Sequence, residues 1–538
     1  MSRLRTLWTA LLGLTLIAVL GACGADGSAP DGPTVPVGQP VSGGAYVHAL
    51  EADPNGCLDG TQQRYHVAFN IIRQITDSLV DLDPVSGQIV PWLAQSWQIS
   101  PDAQEFTFKL QDGVTFSNGE VFDAAAVKGN FDRVIELGPA AIGAYPILTG
   151  YDRTEVVDPL TVKVVFSEPN IQFLQGLTAA WLGFISPSDL AKEPAAICAG
   201  DYSGTGPFQL DHYTKNDEAV LVRRAGYDWP SAAYQHTGEA YLDRLVFKFL
   251  SESGVRAGAV QTGQAHSISL VAAQDESAIV ASGAELFVTQ PPGMELVWIA
   301  NQQSTYGGDP VVRRAIALAL DRAELLTLYG SGFEIASGLL GPATMPYYVD
   351  QSDLIQFDPD QARTVLEEAG WAEGADGIRQ RDGQRLTIRV IVALTEQYEL
   401  LQAQLKRVGV EFLIEALDTA SQAAATDAGD YDFYVWNMTR ADPDVIKAIF
   451  ISGLDGKGQN RSWALPSPAD QYLAAQGGAA DPAQRQADVK AAVDYLVEQN
   501  LAIPELTRAW VYAVAPTVQG FAVDGESKLV FYDTWLTD

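Results

Sequence analysis

Along most of this chain, runs that alternate apolar and polar residues take turns with stretches whose apolar residues return every three or four positions. That succession predicts an α/β protein, with strands from the first kind of run and amphipathic helices from the second. Within residues 64–79, Val67, Ile71, Ile75 and Leu79 fall on one helical stripe, and Arg64 opens the stretch. Residues 105–110 and 114–116 flank Asp112-Gly113 and predict a hairpin. Asp123 stands where it can cap a helix reaching about Ile135. Residues 160–166 and 242–250 read as strands, and 209–212 with 218–223 as a hairpin turning at Lys215-Asn216-Asp217. In the second half, Asp309-Pro310, Asp358-Pro359, Asp442-Pro443 and Asp481-Pro482 each precede a helical pattern. Aspartate accepts from exposed first-turn amides, and proline is pre-set for the first helical position. Strand candidates at 386–392, 410–414 and 431–436 alternate with these helices, as in a doubly wound domain.

The start of the chain breaks the pattern. Arg3 and Arg5 precede an apolar run over residues 7–20, shorter than the roughly 20 residues of a spanning helix. A basic start, a short apolar core and small residues after it predict a signal peptide over 1–22. The run ends Leu20-Gly21-Ala22-Cys23, which resembles a bacterial lipobox, whose cysteine thiol takes a diacylglycerol and becomes the new N-terminus. Residues 23–45 are rich in Gly, Pro, Ser and Asp without apolar periodicity. Such a segment cannot bury enough surface to offset its ordering entropy, so it predicts a flexible tether reaching roughly 25 Å. An exported protein anchored to the outer face of the cytoplasmic membrane is therefore expected.

About 490 residues follow, ample for two or three domains with full cores. The formal charge is −33, and about −35 without the two leader arginines. General attraction to phosphates, and with it nucleic acid, is excluded as a partner. Cys57 and Cys198 remain after Cys23, and in an exported chain they suggest one disulfide, with two buried free thiols as the alternative. No CxxC occurs, and His48, His66, His212, His236 and His266 lack ligand spacing, so neither a metal site nor a cofactor is expected. There is no Gly-x-Ser-x-Gly and no Walker loop, and Gly204-x-Gly206 runs into Pro207-Phe208. No catalytic residue is assigned.

Four segments resemble the family 5 extracellular solute-binding proteins of dipeptide, oligopeptide and nickel importers. The first runs from Ile75-Thr76-Asp77-Ser78-Leu79-Val80 through Pro91-Trp92-Leu93-Ala94-Gln95-Ser96-Trp97 and Gly113-Val114-Thr115-Phe116-Ser117-Asn118-Gly119 to the helix at 123–133. The others are Gly204-Thr205-Gly206-Pro207-Phe208, the stretch from Asp309-Pro310 to Asp321-Arg322, and that from Phe357-Asp358-Pro359 to Ala369-Gly370-Trp371. The resemblance spans about residues 46–535. It implies a type II two-lobed binding-protein fold with an insert domain in the first lobe. The first lobe would take 46–72, 193–300 and 512–538, the insert 73–192, and the second lobe 301–511. It also implies a monomer that captures a peptide or peptide-like solute between its lobes and hands it to an ABC permease and its ATPase. A receptor for a metal chelate or another anionic solute is the alternative. An enzyme or chaperone on the same scaffold is a third reading, which the absent catalytic signatures disfavour.

The stretch Tyr431 to Asp444 carries the candidate site. A strand ending at Trp436, a short loop and a helix opening at Asp442-Pro443 would put side chains where open α/β sheets bind ligands. Trp436 would cover an apolar group and Arg440 would pair with a carboxylate, with Asn437 and Thr439 beside them and Asp442 capping the helix behind. Peptide-binding relatives place an aspartate for the peptide ammonium where this chain has Thr439, and Arg440 follows. That departure favours an anionic, blocked or non-peptide ligand. The alternative packs Trp436 in the core and pairs Arg440 with Asp442 or Asp444. Arg313 and Arg314 are expected on a solvated or lobe-packing face, Trp298 in or beneath the cleft, and Asn460-Arg461-Ser462-Trp463 in an exposed loop.

Overall fold

Strands rich in valine and aromatic residues assemble into three larger sheets in the computed structural model, which describes residues 38–63, 65–392, 396–416, 419–456, 459–479 and 481–537. The expected signal peptide, Cys23, most of the tether and Arg64 lie outside these residues. The first sheet has seven strands, in the order Glu285–Thr289, Trp510–Val514, Ser267–Ile268, Ala45–Leu50, Arg244–Phe249, Glu218–Arg223 and Phe208–Thr214. Ala45–Leu50 runs parallel to Arg244–Phe249 with Tyr46 opposite Leu245. The hairpin from Phe208 to Arg223 turns at Asn216, which takes the left-handed φ of 59° that asparagine tolerates.

A second sheet has six strands, ordered Glu334–Ile335, Ala502–Thr507, Gly293–Ala300, Phe433–Thr439, Thr387–Val392 and Glu411–Ala416. A third has four, ordered Ala94–Ile99, Glu105–Leu110, Thr161–Phe166 and Tyr151–Asp158. The expected hairpin between 105–110 and 114–116 does not form. Both edges of Glu105–Leu110 are already taken, by Ala94–Ile99 and Thr161–Phe166, and Thr115 makes only an isolated bridge to Val121.

The stripe of Val67, Ile71 and Ile75 forms helix His66–Ile75, but Leu79 lies beyond it. Thr76 is extended, and the N–H of Asp77 donates to Thr205 Oγ1 as the chain leaves the helix. Asp123 caps helix Ala124–Leu137 through the N–H groups of Ala125 and Ala126. Asp309, Asp358 and Asp481 accept from Val311, Gln361 and Ala483 at the starts of helices Pro310–Ala319, Pro359–Glu368 and Pro482–Glu498. Asp442 accepts the N–H of Asp444 at 2.8 Å, ahead of helix Asp444–Phe450.

Burial divides the chain into two lobes. The first sheet and the four-stranded insert share one cluster that runs from Tyr46 and Phe247 to Phe106, Phe131 and Phe173. The second sheet carries its own cluster on each face, with Trp298, Ile388 and Phe412 in one and Met294, Ile299 and Val493 in the other. Each fully buried side chain of this kind contributes roughly 1.5–3 kcal/mol, so each lobe has a core of its own. Gly293–Ala300, placed on sequence at the end of the first lobe, is a central strand of the second sheet, paired with both Phe433–Thr439 and Ala502–Thr507. The chain therefore passes between the lobes at 290–292 and returns at 508–509. Cys57 and Cys198 are disulfide-bonded with Cα atoms 4.0 Å apart, beside a hydrogen bond from the Leu58 N–H to the Cys198 carbonyl. Among the described residues no helix is long and apolar enough to cross a membrane.

Candidate functional site

Strand Phe433–Thr439 pairs antiparallel with Gly293–Ala300, from Phe433 opposite Ala300 to Thr439 opposite Gly293. It runs three residues past Trp436, where the sequence reading placed a loop. Gly293 permits this. Its φ is 114°, and a Cβ there would lie 2.2 Å from the Met438 carbonyl oxygen. One residue further, the Arg440 N–H donates to the Pro292 carbonyl at 3.1 Å.

The end of this strand forms one wall of a cavity of about 490 Å³, lined there by Trp436, Asn437, Thr439 and Arg440. His66 and Phe69 of helix His66–Ile75 and Trp181 of the insert face it from the other lobe. Glu526 and Lys528 reach it from a turn near the C-terminus, and Arg461 from the second lobe. Asp442 is not part of this wall. It is buried behind the strand end, where Arg485 Nη2 donates to both its oxygens at 2.7 and 2.9 Å.

Arg440 does not make the alternative local ion pair, because Asp442 is held by Arg485 and Asp444 accepts from Gln476 at 2.6 Å. Among the described residues no carboxylate lies within ion-pair distance of Arg440, and its buried Nε has no hydrogen-bond partner. Its guanidinium instead stands 5.5 Å from the ring centre of Trp181. Trp181 meets Phe69 edge to face at 5.6 Å and lies over Gly143, where a Cβ would come within 2.5 Å of the indole nitrogen. Trp436 is half-buried, edge-on to Tyr434 at 5.9 Å, with the Arg461 guanidinium 5.9 Å from its ring centre.

Behind this wall Arg508 donates to Thr439 Oγ1 at 3.2 Å. Burial pushes the Arg508 pKa down to about 10, against the pull of the Glu295 carboxylate, so it stays charged at neutral pH. The Lys528 ammonium lies 5.0 Å over the Trp510 ring, and burial lowers its pKa. His66 packs on the same indole at 3.8 Å. Burial, then the charges of Lys528 and Arg508, hold the His66 pKa well below the usual value, so the ring is neutral at pH 7.

Other sequence candidates lie elsewhere. Trp298 is fully buried and donates to Glu505. Arg313 is buried rather than solvated, and donates to the carbonyls of Gly307, Gly308 and Gln499. Trp463 packs on Gly429 and Gly456. Sequence reasoning did not assign Phe69, Trp181, Glu526 or Lys528 to the site. Each sits in a locally ordinary segment, and tertiary approach alone brings them to the cavity. Among the described residues no cluster of three His, Cys, Asp or Glu is arranged to hold a metal ion.

The profile of the bacterial extracellular solute-binding proteins, family 5 Middle, matches residues 88–459. The glutathione-binding protein GsiB of Escherichia coli (strain K12) is 27% identical over 454 residues, which cover 82% of this chain and 85% of that protein. NikA from Brucella suis, solved with Fe(III)-EDTA, superposes with a TM-score of 0.79 at 24% identity, over 92% of this chain and 100% of that one. The PBP AgaA from A. tumefaciens R10, solved with agropinic acid, gives 0.74 at 25% identity, over 92% and 99%. With its two lobes, its insert and a cavity between them, the chain belongs to the family 5 bacterial extracellular solute-binding proteins and serves as the substrate-binding component of an ABC importer.

Proposed function

We propose that the captured solute is a peptide-like anion, held between the lobes and released unchanged to a permease and its ATPase by a monomer tethered through lipid on Cys23. One observation carries this reading: Arg440 faces the cavity without a counter-charge, in a chain whose net charge is −33. An enclosed cation is costly unless something negative meets it. Lys528 and Arg461 add positive charge to the same walls, and Trp181 and Trp436 supply apolar area for the body of the solute. Relatives named for glutathione, and a neighbour solved with agropinic acid, fit such a ligand. A preformed metal chelate, as in the NikA complex, suits the same walls because its metal brings its own donors.

Calorimetry with three solutes tests the reading: glutathione, Ala-Ala-Ala and Fe(III)-EDTA. Glutathione should bind at least about tenfold more tightly than the net-neutral tripeptide, a difference of about 1.4 kcal/mol. Equal or tighter binding of Ala-Ala-Ala would sink the anionic reading, and preference for Fe(III)-EDTA would move the chelate to first place.

A further inference from the structure

Glu526 is the one carboxylate among the described residues that line the cavity, and it is 9% exposed. Among the described residues no lysine or arginine comes within ion-pair distance of it. Lys528, two residues on, turns its ammonium to the Glu526 backbone carbonyl at 3.3 Å rather than to the carboxylate. Among the described residues the one hydrogen bond to the side chain is a long one, 3.4 Å from the Ala441 N–H to Oε1, which leaves Oε2 open.

The turn that presents Glu526 is built to stay in place. Asp524 Oδ1 accepts the N–H groups of Glu526 at 2.9 Å and Lys528 at 2.8 Å. Asp524 Oδ2 is paired at 3.3 Å with Arg73, which also holds Asp81. Ser527 takes a left-handed φ of 62°, with its hydroxyl 3.0 Å from that of Thr289. A carboxylate fixed on such a turn and enclosed without an ion pair carries a desolvation cost, as does the enclosed guanidinium of Arg440 in the same cavity. Two charges of opposite sign in one chamber, neither in an ion pair among the described residues, match a solute that carries both signs.

We infer that Glu526 receives an ammonium group of the solute while its carboxylates meet Arg440 and the neighbouring cations. The solute is then a zwitterion with more carboxylates than ammonium groups. This rests on the anionic reading and adds to it a second, oppositely charged anchor supplied by the first lobe. Glu526 is a specificity residue. It selects a free amine, and its contact to Ala441 ties that selection to the approach of the second lobe.

The probes are glutathione, with two carboxylates and one ammonium, and N-acetylglutathione, which lacks only the ammonium. Calorimetry on the full mature protein should show N-acetylation weakening wild-type binding by about tenfold to a hundredfold. E526Q keeps an acceptor for the Ala441 N–H but loses the charge, so it should bind both probes about equally. E526D should recover part of the discrimination. Equal wild-type affinity for the two probes overturns this inference and leaves the anionic reading standing. Failure of wild type to bind either probe overturns both. If E526Q does not fold, the wild-type comparison and E526D still decide the matter.

Discussion

A guanidinium with a buried, unpartnered Nε contributes nothing to folding that an apolar side chain would not, and it costs desolvation. Arg440→Ala should therefore leave the melting temperature of the ligand-free protein unchanged or slightly raised, while weakening binding of glutathione. A charge-assisted contact of about 1.5–3 kcal/mol corresponds to roughly tenfold to a hundredfold in affinity. Arg440→Lys should recover only part, because the planar fork is lost. Calorimetry on folded variants measures it, and an unchanged affinity in Arg440→Ala would return an ordinary peptide to first place. Trp436 and Arg440 were legible in sequence because an alternating run ending before Asp442-Pro443 marks a strand end facing a helix start. Thr439 drew notice by what it is not. Trp181 escaped, because its place is set by Gly143 and Phe69, and no spacing along the chain encodes that meeting.

Among the elements, period-two alternation located most strands, yet it could not say which sheet each would join. Gly293–Ala300 shows why: it is buried on both faces, and its two partners come from far along the chain. The failed hairpin at Asp112-Gly113 has the opposite cause, a local turn signal overridden by better partners on both edges. Two strands next to the lobe connections carry buried carboxylates. Burial pushes the pKa of Glu295 and of Glu505 up to about 7. In the unfolded chain both would titrate near about 4.3. The native state then binds more protons between those values, so stability rises as pH falls from 8 toward 5 and is lost as pH rises through 7. The urea midpoint should climb over that descent, and Glu505→Gln should flatten the climb. A wild-type midpoint that stays level would mean the surroundings stabilise the charged forms. The Cys57–Cys198 bond closes a loop spanning 141 positions. On the chain-entropy account, replacing both cysteines with alanine should lower stability by up to about 4–5 kcal/mol in urea unfolding. A loss of less than about 1 kcal/mol would assign the bond no such role.

At the scale of the whole molecule, charge misleads if read as an average. The chain is strongly acidic, but among the described residues the cavity is lined by Arg440, Arg461 and Lys528 against a single glutamate. The family resemblance made two lobes and an insert legible, since its motifs are spread from one end of the folded chain to the other. The sign of the cavity was not legible, because its walls come from six separated segments. The membrane tether is a prediction at this scale. Cys23→Ser should move the protein from the detergent phase to the aqueous phase, and continued partition with the membrane would rule the anchor out. A last consequence comes from where two indoles stand. Trp181 belongs to the insert and Trp436 to the second lobe, so the two face one chamber from bodies with separate cores. Parting the lobes wets both rings together, and closing on a solute dries both. The protein thus carries its own optical gauge: its emission should shift to the blue as glutathione fills the chamber. Replacing Trp181 and Trp436 with phenylalanine should silence most of that shift, although eleven tryptophans are encoded in the chain. A shift that survives both replacements would show that lobe closure is being reported from elsewhere.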